Sequence, residues 1–311
     1  LVFDKSRIAG TSGMFLRTEK SVLFIIPWQR YWVIGTTDTV WEPERLHPVA
    51  TAADIDYVLE HANQVLSSDL TRDDIIGTWA GLRPLVQQTA ATASTKVSRE
   101  HTVSEVAPGL TVIAGGKLTT YRAMAEDAVD FALGAANARQ NPSVTERTPL
   151  VGGAGVEAAR ADLLRRGPAL GFDEARVEHL IGRYGAEVGD LLEMMVEQPE
   201  WGRPLVAAPA YLGVEVAFAV LREGALHLED ILLHRVRLAM ETVDRGISAA
   251  PEICAIAGPL LGWTEADIAR EIAAWQARAD AVAAAQAEAD DASAARARGS
   301  VEDLIPVRRD I

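Results

Sequence analysis

The segment from Gly115 to Arg122 combines two glycines, a lysine and two threonines in an order that suits an anion-binding turn. Paired glycines let the backbone turn sharply and approach a ligand closely. Thr119 and Thr120 can cap a following helix, whose first N–H groups and positive dipole end attract negative charge. Lys117 adds a full positive charge. The segment predicts a pocket floor for an anion or an electron-rich ring edge, although a glycine-rich turn with a surface lysine explains the same residues.

Two other short segments carry groups that could contact an anionic ligand. Arg83 lies between Gly81 and Pro84, and a guanidinium held by such a backbone can bind a carboxylate or a phosphate through two parallel hydrogen bonds. A hydroxyl-rich cluster around Thr37, with the carboxylate of Asp38, closes an apolar run and can line a site. Taken alone, each segment is more typical of an ordinary surface turn.

The histidines give weaker signals. His101 lies on a predicted strand, and the sequence offers no partner that would orient its ring for proton transfer. His61 falls on the polar side of a predicted helix, where we expect it to face solvent. One later helix carries a set that resembles metal ligands: His227, Glu229, Asp230 and His234. Acidic residues at the start of that helix and basic residues after them also match the helix dipole, so we predict no metal site.

Strands and one helix must position these groups in the first part of the chain. Apolar runs at residues 22–26 and 31–34 predict a β-hairpin, and a second hairpin is predicted from strands at 96–106 and 110–113 around the turn at 107–109. Helical spacing over residues 52–66, with Thr51 and Asp54 as a capping box, predicts a helix. Another helix is predicted over residues 123–136, directly after the glycine turn. This arrangement would aim a helix N-terminus at the sheet.

Beyond residue 155 the pattern is almost entirely helical. Residues 137–155 mix polar residues with proline and glycine and predict a linker. We predict one continuous helix over 228–242, and a solvent-exposed helix over the alanine-rich segment 273–297. The sequence thus predicts an α+β fold. An antiparallel-rich sheet with helices occupies residues 1–136, and an all-α domain with an alanine-rich charged tail occupies residues 156–311.

Composition narrows the function. The 30 basic and 44 acidic residues give a net charge of −14, which argues against a nucleic-acid partner or a polybasic membrane-binding surface for the chain as a whole. Cys254 is the single cysteine, so the chain has no internal disulfide and no cysteine-rich metal site. It lies in an apolar run, where we predict a buried thiol, and this usage fits a reducing compartment.

Four segments, in their order and spacing, resemble the FAD-dependent glycerol-3-phosphate dehydrogenase family of the aerobic, quinone-linked type. They are I-P-W…W-V-I-G-T-T-D at 26–38, G-T-W-A-G-L-R-P-L at 77–85, S-R-E-H at 98–101 and G-G-K-L-T-T-Y-R-A-M-A-E-D-A at 115–128. The downstream helical region looks similar as well. The resemblance implies an FAD-dependent enzyme that oxidises sn-glycerol 3-phosphate to dihydroxyacetone phosphate and passes electrons to a quinone.

The resemblance also implies roles for individual residues. It places the cofactor against the turn formed by Gly115, Gly116, Lys117, Leu118, Thr119 and Thr120. Arg83 and Lys117 would be the catalytic residues that hold the substrate, with Thr37 lining the same pocket. His101 is the histidine within the matching segments and is therefore a candidate general base, although the base could instead lie in an upstream region.

The sequence departs from that family at its start. The family begins with a βαβ unit that carries G-x-G-x-x-G and binds the ADP half of FAD, and no such unit opens this chain. We therefore expect the chain to be the C-terminal part of a longer enzyme. Two alternatives stay open: an oxidase that passes electrons to oxygen, and a non-catalytic helical binding or scaffold module with a relic flavin pocket. We expect a cytoplasmic protein; peripheral contact with the inner face of the cell membrane and the oligomeric state are left open.

Overall fold

The computed structural model describes residues 1–19, 22–43, 47–83, 100–302 and 304, and these form two compact units. The first unit comprises the described residues of 1–37, 41–80 and 155–311, and the second those of 38–40 and 81–154. The predicted fold class, an antiparallel-rich α+β part followed by a helical part, is confirmed. The predicted domain division at residues 137–155 stays a prediction, since the compact units group the first sheet with the C-terminal helices.

The first unit contains a five-stranded antiparallel sheet in the order β2-β3-β4-β1-β5. Its strands are β1 (Val2–Asp4), β2 (Met14–Arg17), β3 (Val22–Trp28), β4 (Tyr31–Gly35) and β5 (Ile75–Gly77). The predicted β3–β4 hairpin is confirmed, and its register pairs Ile25 with Ile34. Both of these side chains are buried, so this face of the sheet forms a core.

Helix α1 (Ala52–Asn63) covers that face of the sheet and buries Ile55 in the same apolar cluster as Ile25. The predicted capping box is confirmed, because the Thr51 hydroxyl accepts from the Asp54 N–H at 3.2 Å and the Asp54 carboxylate accepts from the Thr51 N–H at 3.0 Å. These two bonds satisfy backbone donors that the first turn of a helix leaves free.

The prediction that His61 faces solvent is wrong. Its side chain is buried, with Nδ1 2.9 Å from the Tyr57 carbonyl oxygen and Nε2 3.0 Å from a Glu19 carboxylate oxygen. The segment that supplies Glu19 lies 42 residues earlier in the chain, so helical periodicity alone could not place it over this side of α1.

The C-terminal helices of the first unit enclose two apolar cores. Their bounds are α4 (Val156–Arg166), α5 (Glu174–Tyr184), α6 (Val188–Glu197), α7 (Gly213–Leu221), α8 (Leu238–Glu241), α9 (Ala250–Leu261), α10 (Glu265–Ala287) and α11 (Asp291–Arg298). One core joins Leu180 of α5 to Phe218 of α7, and the other surrounds Cys254 of α9. Cys254 is fully buried as predicted, and burial raises the pKa of its thiol to about 12.

Two predicted helices differ from the structure. The segment predicted as one helix over 228–242 divides into a π-helical stretch (Asp230–Arg235) and α8, because Arg237 adopts a left-handed φ of 62° between them. The alanine-rich segment is not a solvent-exposed helix throughout. Trp275 and Ala279 of α10 are buried, and the chain ends α10 at Ala287 before α11 begins.

A network of close contacts joins the sheet to the C-terminal helices within the first unit. The Tyr31 hydroxyl donates to the Glu241 carbonyl oxygen at 3.1 Å, and the Arg30 guanidinium lies 3.2 Å from the Glu241 carboxylate. Gly77 of β5 lies so near the Met240 backbone that an added Cβ would overlap it. These contacts hold the end of β5 in place. Arg83 follows six residues later in the sequence.

The second unit is built on a two-stranded antiparallel sheet and two helices. It contains β6 (Thr102–Ala107), β7 (Leu110–Ala114), α2 (Tyr121–Leu133) and α3 (Ala135–Gln140). The predicted hairpin is confirmed over its described residues; residues 96–99 of the prediction lie outside them. The predicted helix begins two residues earlier than expected, at Tyr121, and ends at Leu133, before Gly134, whose φ is 78°. Residues 137–140 of the predicted linker are helical.

Across the part of the chain that the structure describes, no helix combines the length and the apolar character that crossing a membrane requires.

Candidate active site

The turn between β7 and α2 has the geometry that its glycines predicted. Gly115 and Gly116 have φ values of 79° and 82°, in the left-handed region that side chains with a Cβ rarely adopt. A 3₁₀ turn, Leu118–Thr120, then leads into α2. The Thr120 hydroxyl accepts from the Lys117 N–H at 3.3 Å and donates to the Lys117 carbonyl oxygen at 3.0 Å. Thr120 therefore fixes the turn from inside.

Gly116 is also closely packed. A Cβ at this position would overlap the Met124 side chain of α2 and would lie 3.3 Å from the His101 Cβ. The turn thus sits against the first turn of α2 on one side and against the residue before β6 on the other. The sequence predicted the tight turn. It could not predict the contacts with Met124 and His101, because these form only when the hairpin and α2 pack together.

The far side of the turn presents unpaired donors. Leu118 is 88% exposed, and the Leu118 and Thr119 N–H groups have no acceptor within the described ranges. The Lys117 side chain is exposed, and its ammonium forms no ion pair with any described residue. Free N–H groups beside an unpaired ammonium attract an anion or an electron-rich edge. The donor set therefore fits the pyrimidine edge of a flavin, which is rich in acceptors and gains negative charge on reduction.

His101 has an orienting partner that the sequence did not reveal. Its Nε2 lies 2.7 Å from the Asp127 Oδ2, which α2 supplies from 26 residues later in the chain. The expectation that His101 lacks such a partner is wrong, because α2 packs against the hairpin and brings Asp127 to it. A histidine held by a carboxylate is a common arrangement for proton transfer, and this one stands beside Gly116. The spacing of Asp127 on the predicted helix was the available signal.

Arg83 forms an ion pair with Asp38, which belongs to the hydroxyl-rich cluster noted in the sequence. Both residues lie in the second unit, and the Asp38 side chain is only 11% exposed. The bond uses one terminal nitrogen of Arg83, and the other guanidinium N–H groups have no acceptor in the described part of the chain. Arg83 is therefore oriented by one carboxylate while keeping donors for a second anion. Pro84, on which the sequence argument drew, lies outside the described residues.

Thr37 is placed in the first unit, at the end of β4. It lines a cavity of about 260 Å³ together with Thr36, Ile26, Val33 and Trp79. The cavity is largely apolar, and its polar residues are Thr36, Thr37 and Asp54. The structure places Thr37 in the first unit and Arg83 and Lys117 in the second, and the substrate-binding role of Thr37 stays a prediction.

Three of the four residues that resembled metal ligands have other partners. His227 Nδ1 lies 3.0 Å from the Glu271 carboxylate, Glu229 pairs with Arg278, and Asp230 accepts from the Leu226 N–H at 2.9 Å. No group of three or more metal-ligating side chains occurs among the residues that the structure covers. We retain the prediction of no metal site here on the strength of these partners.

Two family models match adjacent parts of the chain. Residues 2–130 match the model described as FAD dependent oxidoreductase. Residues 143–268 match the model described as C-terminal domain of alpha-glycerophosphate oxidase. The first match contains the glycine turn and the second contains α4 to α9, so both regions identified from the sequence have a counterpart in known proteins.

Two curated relatives are glycerol-3-phosphate dehydrogenases. Glycerol-3-phosphate dehydrogenase 2 of Mycobacterium bovis is 48% identical over 281 residues, which cover 90% of this chain and 48% of the relative. The mitochondrial glycerol-3-phosphate dehydrogenase of Homo sapiens is 33% identical over 250 residues, covering 78% of this chain and 34% of the relative. The chain thus spans about half the length of the mycobacterial relative.

A solved structure has the same fold. The crystal structure of the glycerol-3-phosphate dehydrogenase from Bacillus halodurans, complexed with FAD, superposes with a TM-score of 0.71 at 29% sequence identity. The match covers 90% of this chain and 55% of that one. Sequence and structure comparisons therefore agree on the same group of proteins.

Proposed function

The chain belongs to the FAD-dependent glycerol-3-phosphate dehydrogenase family, and from this membership we propose that the whole protein oxidises sn-glycerol 3-phosphate to dihydroxyacetone phosphate. The proposal concerns the whole protein, because the chain spans about half the length of its mycobacterial relative. FAD is the proposed cofactor, and when bound it supplies the acceptor for the hydride that leaves C2 of the substrate.

The observation that carries the proposal is the Gly115–Gly116 turn with its unpaired donors. We assign the pyrimidine side of the flavin to Gly115, Gly116, Lys117, Leu118, Thr119 and Thr120. Backbone N–H groups at this turn favour the negative charge that a flavin gains as it takes up a hydride. The exposed Leu118 and Thr119 N–H groups supply that stabilisation without rearrangement, because the glycines already hold the turn.

Arg83 and Lys117 are the proposed catalytic residues that bind the phosphate group of the substrate. Arg83 offers N–H groups in a planar fork, and Asp38 orients it without using them all. Lys117 offers a mobile point charge that no described carboxylate neutralises. Thr37 is the proposed hydroxyl on the pocket wall. A dianionic phosphate needs this kind of compensation when it leaves water.

Oxidation of the alcohol also requires a group that takes the hydroxyl proton. His101 fits this role better than the sequence implied, since Asp127 holds its ring at 2.7 Å and Gly116 lies beside it. We assign Nδ1 of His101 as the proton acceptor and Asp127 as its positioning residue. A base outside this chain is the competing assignment. A pH profile of His101→Gln separates them, because a pH dependence of kcat that differs from the parent's supports His101 and an unchanged profile excludes it.

Quinone is the proposed electron acceptor, which implies a cytoplasmic protein in peripheral contact with the inner face of the cell membrane. The second candidate is oxygen, and it is favoured by the match of residues 143–268 to a domain described from an alpha-glycerophosphate oxidase. A non-catalytic scaffold is the least favoured candidate, since the relatives named above are dehydrogenases and the turn keeps its free donors.

The test is an assay of the purified whole protein with glycerol 3-phosphate, in air and anaerobically with a soluble quinone. We expect dihydroxyacetone phosphate to form with quinone reduction, and no turnover of glycerol, which lacks the phosphate. Formation of hydrogen peroxide in air, without quinone reduction, would transfer the assignment to the oxidase. No product under either condition would contradict the proposed function.

A further inference from the structure

A second cavity lies wholly within the first unit, between the segment after β5 and the C-terminal helices. Its volume is about 460 Å³. That size lies within the range of roughly 300 to 1,000 Å³ that is typical of small-molecule sites. Trp275 and Trp79 contribute aromatic walls, and Arg245 and Thr78 contribute polar groups. Trp79 also lines the cavity that contains Thr37, and the other three residues have no role in the function proposed above.

Arg245 brings an uncompensated positive charge to this cavity. No carboxylate of the described residues pairs with its guanidinium, which donates to the Thr78 hydroxyl at 3.4 Å. Burial lowers the pKa of Arg245. Arg245 is half-buried, and a cation that is partly removed from water usually lies near a counter-charge. None of the described residues supplies one, which points to an anion in the cavity.

The backbone holds Arg245 in an unfavourable conformation. Its φ is 56°, in the left-handed region that a non-glycine residue seldom occupies. The turn is fixed by three bonds: the Arg245 N–H donates to the Thr242 carbonyl oxygen at 3.0 Å, the Trp275 indole donates to the Arg245 carbonyl oxygen at 3.1 Å, and Asp244 accepts from Gly246. Such strain persists where the surroundings enforce it and concentrates at binding sites.

Thr78 supplies a second unused donor. Its side chain is only 6% exposed, and its oxygen already accepts from Gln286 and from Arg245. A hydroxyl has two acceptor positions and one hydrogen, so the remaining capacity of Thr78 is donation. No described residue offers an acceptor for it. A buried donor without an acceptor is costly, and an acceptor atom in the cavity would satisfy it.

The acidic residues of the lining do not neutralise Arg245. Glu229 pairs with Arg278, and Asp230 accepts from the Leu226 and His227 N–H groups. The Arg245 guanidinium and the Thr78 hydroxyl therefore keep donors that Glu229 and Asp230 do not use.

We propose that this cavity is a binding site for a small organic anion, a phosphate ester or a carboxylate. Its charged group contacts Arg245 and Thr78, and its apolar part lies against Trp275. The site is separate from the Gly115–Gly116 turn, which lies in the other unit, so it does not depend on the proposed dehydrogenase activity.

Phosphate titration of the whole protein, followed by calorimetry, tests the proposal with inorganic phosphate as the probe. The variants are Arg245→Gln, Arg245→Lys, Thr78→Val and, as a control, Arg165→Gln on the exposed side of α4. Lys117→Ala is titrated in parallel, because it removes a cation from the proposed substrate site and leaves this cavity intact.

We expect Arg245→Gln to weaken phosphate binding about tenfold or more, as the loss of a charged hydrogen-bond donor does. Arg245→Lys should retain part of the affinity, Thr78→Val should lose some of it, and Arg165→Gln should bind as the parent does. If Arg245→Gln does not fold, a weaker binding constant in Thr78→Val supports the site and an unchanged one overturns it. Equal affinity in the parent and Arg245→Gln overturns the proposal, as does binding that only Lys117→Ala removes.

Discussion

At Gly116, both the backbone conformation and the packing favour glycine. Its φ of 82° excludes most side chains, and Met124 and His101 fill the space that a Cβ would need. Both requirements serve the position of Lys117 and of the N–H groups that follow it. A change here should therefore affect cofactor binding as well as stability.

We predict that Gly116→Ala in the whole protein lowers stability by more than about 1–2 kcal/mol, the left-handed penalty alone, and reduces FAD content. Gly109→Ala is the matched control, because Gly109 has a φ of 79° in the β6–β7 turn but nothing within 4 Å of its added Cβ. Urea unfolding and the flavin-to-protein absorbance ratio measure both effects. Equal losses in the two variants would contradict a specific role for the Gly116 packing.

Arg83 is oriented by an ion pair with Asp38, whereas Lys117 has no ion-pair partner among the described residues. Lys117→Ala removes an unpaired ammonium, and Arg83→Lys keeps the charge but loses the planar fork that Asp38 orients. We expect each to lower kcat/KM for glycerol 3-phosphate by about 10- to 100-fold, the range for a lost charged hydrogen bond. Arg139→Ala, an exposed cation on α3, is the control. The measurement is steady-state kinetics at saturating electron acceptor. Parent-like kcat/KM in both variants would contradict the assignment of Lys117 and Arg83 to the substrate site.

At the scale of elements, the contact between β5 and α8 positions the end of the first sheet. Gly77 lies against the Met240 backbone with no room for a methyl group. We predict that Gly77→Ala destabilises the chain by about 1–3 kcal/mol, the usual cost of overpacking. Gly189→Ala in α6, where nothing lies within 4 Å, should instead stabilise slightly. Thermal unfolding distinguishes them, and a neutral Gly77→Ala would mean that this contact is loose.

The start of α10 gives a pH-dependent prediction. The Thr264 backbone N–H, and then its hydroxyl, hold the pKa of Asp267 below its usual value. A lowered pKa contributes stability above the unfolded value, about 3.9, and this contribution is lost as the pH falls through the folded value. Asp267→Ala should therefore have a lower unfolding temperature than the parent at neutral pH. The difference between the two unfolding temperatures should become smaller below about pH 4. Glu265→Ala, in the same first turn, controls for the helix dipole; a difference independent of pH would contradict the capping account.

Local signals in the sequence predicted the elements whose determinants are local. The capping box at Thr51 located α1, and the glycine pair at Gly115 located the turn, since each depends on residues a few positions apart. Features that depend on distant segments were missed. His101 meets Asp127 across 26 residues, Trp275 is buried by other helices, and the left-handed Arg237 interrupts an otherwise regular apolar spacing.

At the scale of the whole molecule, the chain folds into two compact units and spans about half the length of its mycobacterial relative. One unit carries Arg83, Lys117 and the glycine turn, and the other carries Thr37 and the helical region that matches an oxidase domain. The match to the Bacillus halodurans structure extends over both, covering 90% of this chain. Both units therefore have a counterpart in that dehydrogenase structure.

The most direct test of that account is anaerobic titration of the purified whole protein with glycerol 3-phosphate while the flavin absorbance is recorded. We predict that FAD copurifies, that one equivalent of glycerol 3-phosphate bleaches its visible bands, and that glycerol does not. Lys117→Ala should require more substrate for the same bleaching. A whole protein that binds no FAD, or whose flavin stays oxidised under excess glycerol 3-phosphate, would contradict the central claim.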